Sequence, residues 1–132
     1  MASIVLCIED NDLNMLVMKH VVKRLHDVVL REAVNAEEGL EIALNEDVDL
    51  VIMDIQLPGM NGYEALQRLK EHEKTSHIPV IALSSFAEKV DIERGLEAGF
   101  TEYVTKPIRV GHFLQIVERL LMSTGGVMLD QE

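Results

Sequence analysis

Val51-Ile52-Met53-Asp54-Ile55-Gln56-Leu57-Pro58-Gly59 is the stretch on which the reading of this chain turns. An apolar run ends in an aspartate, and a Pro-Gly pair follows shortly after. A run this short, bounded by turn residues, predicts a strand buried on both faces. A carboxylate at the C-terminal end of such a strand lies where open α/β sheets bind their ligands. Burying its charge is costly unless a cation or proton compensates. The remaining sequence is therefore read for groups that could surround Asp54.

Working outward, strand-like runs and helical patterns alternate. Ile4 to Ile8 reads as a first strand, ending in Glu9-Asp10. A helix is predicted from Asp12 to Leu25, with Asn11 as N-cap and Leu13, Leu16, Val17, Val21 and Leu25 facing inward. Val28 to Ala33 reads as a weaker strand near an edge, followed by a helix over Ala36 to Asn45 with Leu40, Ala43 and Leu44 inward. The central strand, Asp49 to Asp54, precedes a helix from Asn61 to His72 with Leu66 and Leu69 in the core. Pro79 to Leu83 reads as a fourth strand, ending in Ser84-Ser85. A helix over Ala87 to Ala98 should stop at Gly99, and Phe100 to Val104 reads as a short fifth strand before Lys106-Pro107. Val110, Phe113, Leu114, Val117, Leu120 and Leu121 stripe a fifth helix. The stretch after Met122 lacks periodicity and reads as a flexible tail, so the expected division is a domain over 1–122 and a tail over 123–132.

Regular β-α alternation predicts an α/β fold: a parallel five-stranded sheet covered by helices on both faces. Right-handed crossovers restrict the topology, and the flavodoxin-like doubly wound (βα)5 order 2-1-3-4-5 follows naturally.

Composition narrows the function. The chain has 132 residues, enough for one ordinary domain, and at 48% hydrophobic it can build a real core. A net charge of −11 would repel a phosphate backbone, so direct nucleic-acid binding is not expected. No run is long and apolar enough for a membrane span, and the N-terminus lacks a basic leader. The single cysteine, Cys7, cannot form an internal disulfide and reads as a buried hydrophobe. These features together predict a cytoplasmic protein. The five histidines show no ligand spacing.

In a parallel sheet the C-terminal strand ends share one edge. Glu9, Asp10, Asp54, Ser84 and Lys106 should therefore converge. Carboxylates so close cannot all stay ionised without compensation. Oxygen-only ligands suit a hard cation such as Mg²⁺, and Lys106 supplies a compact positive charge. Asp54 is then a candidate carboxylate nucleophile of the aspartyl-phosphate kind. Metal, Lys106 and Ser84 are suited to receive the charge of a phosphoryl transition state.

Glu9-Asp10-Asn11, Met53-Asp54 through Pro58-Gly59-Met60-Asn61-Gly62, Leu83-Ser84-Ser85 and Thr105-Lys106-Pro107 together resemble the receiver domain of two-component response regulators. The resemblance covers residues 3 to about 122, and the Glu-Asp-Asn-x-x-Asn form is similar to stand-alone DivK-type and hybrid-kinase receivers. It implies that Asp54 accepts a phosphoryl group from a phosphohistidine on a histidine kinase or histidine phosphotransfer protein. It implies that Glu9, Asp10, Asp54 and the backbone carbonyl of Gln56 hold Mg²⁺. Ser84 would turn toward the phosphoryl group, Lys106 would pair with it, and the bond before Pro107 would be cis. Tyr103 would be the aromatic that moves with Ser84. The fourth helix, fifth strand and fifth helix would form the face read by a downstream protein target. Chemistry beyond self-catalysed phosphorylation and dephosphorylation at Asp54 is not implied.

Two departures are mild: Glu9 stands for a more usual Asp and Ser84 for a more usual Thr. A Mg²⁺-dependent phosphatase of the haloacid-dehalogenase kind needs an acid two residues after the nucleophile, where this chain has Gln56. A nucleotide-binding module would need a glycine-rich phosphate loop, which is missing. The expectation is thus a single-domain response regulator, with a receiver from a hybrid kinase or a phosphorelay intermediate as the alternative.

Overall fold

The computed structural model describes residues 2–123. Strands β1 (Ser3–Ile8), β2 (Val28–Ala33), β3 (Leu50–Asp54), β4 (Val80–Ser84) and β5 (Glu102–Thr105) alternate with helices α1 (Asp12–Lys23), α2 (Ala36–Asn45), α3 (Gly62–Glu71), α4 (Lys89–Ala98) and α5 (Val110–Ser123). The sheet is parallel throughout, in the order β2-β1-β3-β4-β5. The expected α/β doubly wound topology is the observed one, and β2 is an edge strand as anticipated.

β3 lies at the centre because its first four residues carry no side-chain group that needs water. Leu50, Val51, Ile52 and Met53 are fully buried, and Asp54 is 3% exposed. Each such apolar side chain contributes about 1.5–3 kcal/mol by leaving water. Period-two alternation along the strands divides the core into two layers. Leu50 and Ile52 pack with Met15, Met18 and Val21 of α1 and with Phe113, Ile116 and Val117 of α5. Val51 and Met53 pack on the other face with Ala36 and Ala43 of α2 and with Ala65, Leu66 and Leu69 of α3. Cys7 is buried in the α1/α5 layer, as expected. α4 is the helix least embedded in the core, with Gly95 its one buried residue.

Helix starts follow the side chains that cap them. Asn11, Asn35 and Asn61 each accept a hydrogen bond from the backbone N–H three residues on, and Glu64 returns the bond to Asn61 in a capping box. Gly99 closes α4 at φ 118°, where a side chain would strain the backbone. The first residues of α3 must pass close to β3. A Cβ on Gly62 would lie 2.7 Å from Ile55 Cα and 2.9 Å from the Asp54 carbonyl oxygen.

Three expectations need correction. Leu13 and Leu16 face solvent, at 73% and 58% exposed, and the buried stripe of α1 is Met15, Met18, Val21 and Val22. Apolar residues on α1 form two overlapping stripes with the same helical spacing, and docking on β1 selects the methionine-bearing one. Leu44 is 39% exposed, because small Ala36, Gly39 and Ala43 let α2 lie close to the sheet. α4 starts at Lys89 rather than Ala87, where Glu88 and Asp91 form the capping pair. The expected tail falls outside the described residues apart from Ser123, which ends α5. Among the described residues no helix is long and apolar enough to cross a membrane.

Candidate functional site

Each strand of the central trio ends at the same edge with a polar group. Leaving β1, Glu9 is pinned from both sides. Its backbone N–H donates to the Ala33 carbonyl at 2.9 Å, and its Oε2 accepts the Asn11 N–H at 3.1 Å. Its side chain is thereby held under the sheet edge, 1% exposed, while Asp10 next to it is exposed. Asp54 leaves β3 with Oδ1 accepting the Gln56 N–H at 2.9 Å. Lys106 follows β5, and its own N–H is tied to the Ser84 carbonyl at 2.9 Å. The Lys106–Pro107 peptide is cis.

Lys106 Nζ lies 2.8 Å from Asp54 Oδ2 and 3.4 Å from Glu9 Oε1. One carboxylate oxygen each from Glu9, Asp10 and Asp54 fall within 4.8 Å of one another. The five residues singled out at the strand ends thus divide into a tight set, Glu9, Asp10, Asp54 and Lys106, and a neighbour, Ser84. Ser84 is fully buried, and its Oγ accepts the Phe86 N–H at 3.0 Å.

A single ammonium does not balance three carboxylates. Burial, followed by the negative charge of Asp54, pushes the Glu9 carboxyl up to about 7 from an ordinary 4.5. Lys106 is pulled down by burial, but the hydrogen bond and charge of Asp54, with Glu9 behind it, outweigh that and leave its ammonium more firmly protonated than usual. Glu9 Oε1 is buried and makes no hydrogen bond; Lys106 approaches it at ion-pair distance without the geometry of one. An orphaned buried carboxylate oxygen beside two further carboxylates is what a hard divalent cation would satisfy. The donor set therefore fits Mg²⁺.

The residues over residues 5–118 match the model of the response regulator receiver domain. The chain belongs to that family. A Polar-differentiation response regulator DivK from Brucella ovis is 37% identical over 121 residues, covering 92% of this chain and 98% of the relative. Among solved structures, the receiver domain of a sensor histidine kinase from Pseudomonas aeruginosa has a TM-score of 0.83 at 26% identity, covering 92% of this receiver and 99% of that chain. That protein holds a magnesium ion in its active-site cleft. The signal receiver domain of a histidine kinase from Syntrophus aciditrophicus has a TM-score of 0.85 at 27% identity, covering 99% and 98%.

Around the acidic pocket of this receiver lie the groups expected to report on it. Tyr103 Oη donates to the Phe86 carbonyl at 2.7 Å, and its ring occupies the space above Gly95, where a Cβ would come within 2.5 Å of Cδ2. The Phe86 backbone therefore touches both Ser84, through its N–H, and Tyr103, through the carbonyl of the next peptide. Sequence reasoning named Ser84 and Tyr103 but not Phe86 or Gly95. The glycine carried the available signal, since a helix interior gains nothing from one unless something packs against it. Sequence reasoning also missed a contact on the rim, where Ser85 Oγ donates to Gln56 Oε1 at 3.0 Å.

Proposed function

We propose that this receiver is a phosphorylation-controlled switch of the cytoplasm, which takes a phosphoryl group onto Asp54 from the phosphohistidine of a histidine kinase or histidine phosphotransfer protein. The observation that carries the reading is the Lys106 ammonium 2.8 Å from Asp54, beside a buried Glu9 oxygen without a hydrogen bond. The Asp54 carboxylate attacks phosphorus, the phosphorus–nitrogen bond to the donor imidazole breaks, and its electron pair returns to the ring. Lys106 then exchanges its carboxylate partner for a phosphoryl oxygen. Ser84 Oγ turns from the Phe86 N–H to donate to another. Glu9, Asp10, Asp54 and the Gln56 carbonyl would hold Mg²⁺. Bound there, Mg²⁺ would neutralise charge on the phosphoryl oxygens during transfer.

When Ser84 turns, the Phe86 N–H loses its acceptor, which frees the Phe86 backbone whose carbonyl anchors Tyr103. The shift reaches the α4–β5–α5 face, which would contact the downstream target. The donor would dock beside the pocket, where the exposed Leu13 and Leu16 follow Asp10 on the first turns of α1. A second reading, relay of the phosphoryl group to a phosphotransfer protein, is favoured by likeness to receivers of histidine kinases. Acetyl phosphate with Mg²⁺ should label the wild type and leave Asp54→Asn unlabelled; equal labelling of both would defeat the proposal. Label moving to an added phosphotransfer histidine faster than to inorganic phosphate would favour relay.

A further inference from the structure

Two consecutive residues of α4 each meet a tyrosine ring. Gly95, the one buried residue of that helix, lies against Tyr103 of β5. Arg94, just before it, places its guanidinium carbon 4.5 Å from the centre of the Tyr63 ring. Tyr63 is the second residue of α3, and Phe100 steadies its ring in an edge-on pair at 5.6 Å and 72°. Arg94 is exposed and makes no ion pair among the described residues, although the chain carries 23 acidic side chains. Asp91, one turn earlier, is engaged by the Glu88 N–H at 3.2 Å. Arg94 is thus committed to the face of Tyr63, a cation–π pair. Tyr63 also follows directly on Gly62, whose backbone runs against the Asp54 carbonyl. Through Arg94, α4 is tied to the segment behind Asp54.

The seat of α4 goes with one arrangement of the pocket, in which Ser84 accepts the Phe86 N–H and Tyr103 donates to the Phe86 carbonyl. If Tyr103 leaves Gly95 once Ser84 turns, Arg94 still grips Tyr63 and resists displacement of the helix. We propose that the Arg94–Tyr63 pair is a latch that holds α4 in this seat, so that a phosphoryl group on Asp54 has to break it to shift the helix. Whatever favours the seat then opposes the phosphoryl group, and the opposition is reciprocal. Both residues are positioning residues, acting on the pocket through α4. The inference rests on Asp54 being the phosphoryl acceptor.

Its test titrates the full chain, in Mg²⁺, with beryllofluoride, which mimics a phosphoryl group on a carboxylate. Affinity is read by calorimetry and the Tyr103 ring by NMR. Arg94→Met keeps the apolar stem and loses the charge; Tyr63→Leu keeps apolar bulk and loses the ring. Each should bind beryllofluoride roughly two- to fivefold more tightly than wild type, the scale of an exposed cation–π pair. The double variant should gain no more than either single one, since both break the same contact. Tyr63→Phe, which keeps the ring, should match wild type. A loosened fold would not bind more tightly, and loss of a positive charge by itself would weaken binding of an anion. Unchanged or weaker affinity in Arg94→Met, an exposed position, would overturn the inference, as would additive gains in the double variant or tighter binding by Tyr63→Phe. Wild type that fails to bind beryllofluoride, or Asp54→Asn that binds it equally well, would sink the Asp54 reading and this inference with it. Normal binding with variants indistinguishable from wild type would sink the inference alone.

Discussion

Replacing Glu9 by Gln should stabilise the metal-free receiver at alkaline pH. The carboxyl of Glu9 is 1% exposed, and burial and Asp54 hold it near pH 7 against an ordinary 4.5. The unfolded chain therefore releases the proton at lower pH than the folded one. Between about pH 4.5 and 7 the folded state carries the extra proton, so raising the pH withdraws stability from it. Below that window the favourable contribution is fully present; above it, it is gone. At ~1.4 kcal/mol per unit the gap corresponds to roughly 3 kcal/mol. Glutamine carries no charge to bury, and its amide oxygen can still accept the Asn11 N–H that Glu9 accepts at 3.1 Å. With a chelator present, Glu9→Gln should melt about 5–10 °C above wild type at pH 8, and the two should converge near pH 4.5. Added Mg²⁺ should raise the melting temperature of wild type at pH 8 and raise that of the variant much less. A flat wild-type stability profile between pH 5 and 8, or a variant no more stable than wild type at pH 8, would refute the reasoning.

Three further outcomes follow from the packing around the same pocket. Gly62→Ala should cost about 1–3 kcal/mol in urea melts, since its Cβ meets the backbone of Ile55 and Asp54 rather than a yielding side chain. Gly95→Ala should drive the Tyr103 ring from its seat and break the bond to the Phe86 carbonyl, read as a changed Tyr103 environment by NMR in the unphosphorylated protein; an unchanged ring would show that the seat is not constraining. Lys106→Ala should leave Glu9 and Asp54 without their shared cation, lowering metal-free stability by about 1–3 kcal/mol at pH 8 and with a smaller loss in an Asp54→Asn background.

The sheet was legible in the sequence because a buried parallel strand has few alternatives: Val51-Ile52-Met53 cannot be solvated cheaply, and Pro58-Gly59 marks where it must end. Strand order and the shared edge of Glu9, Asp54 and Lys106 followed from connection rules alone. Helix faces were less legible where apolar residues exceed what one face can bury. Leu13 and Leu16 have the spacing of a core stripe and stand in solvent, since periodicity reports which residues share a face and not which face meets the sheet. Within the pocket, residue types announced a cation requirement, but the division of burden did not show: Glu9 is buried and orphaned, while Asp10 is exposed. The Asn11 N–H holds the Glu9 carboxylate locally, and the Ala33 carbonyl, a contact made only once β1 and β2 are paired, fixes the Glu9 backbone. The Gln56–Ser85 bridge joins residues 29 apart in sequence, and nothing in either residue type foretells it.

The most direct measurement is the position of the phosphoryl group itself. An acyl phosphate on an aspartate is reduced by borohydride to homoserine, which marks the site permanently. After acetyl phosphate and Mg²⁺, peptide mapping should find homoserine at position 54 and nowhere else, and none when the metal is chelated. Label retained on a histidine or serine, or homoserine at position 10, would contradict the account.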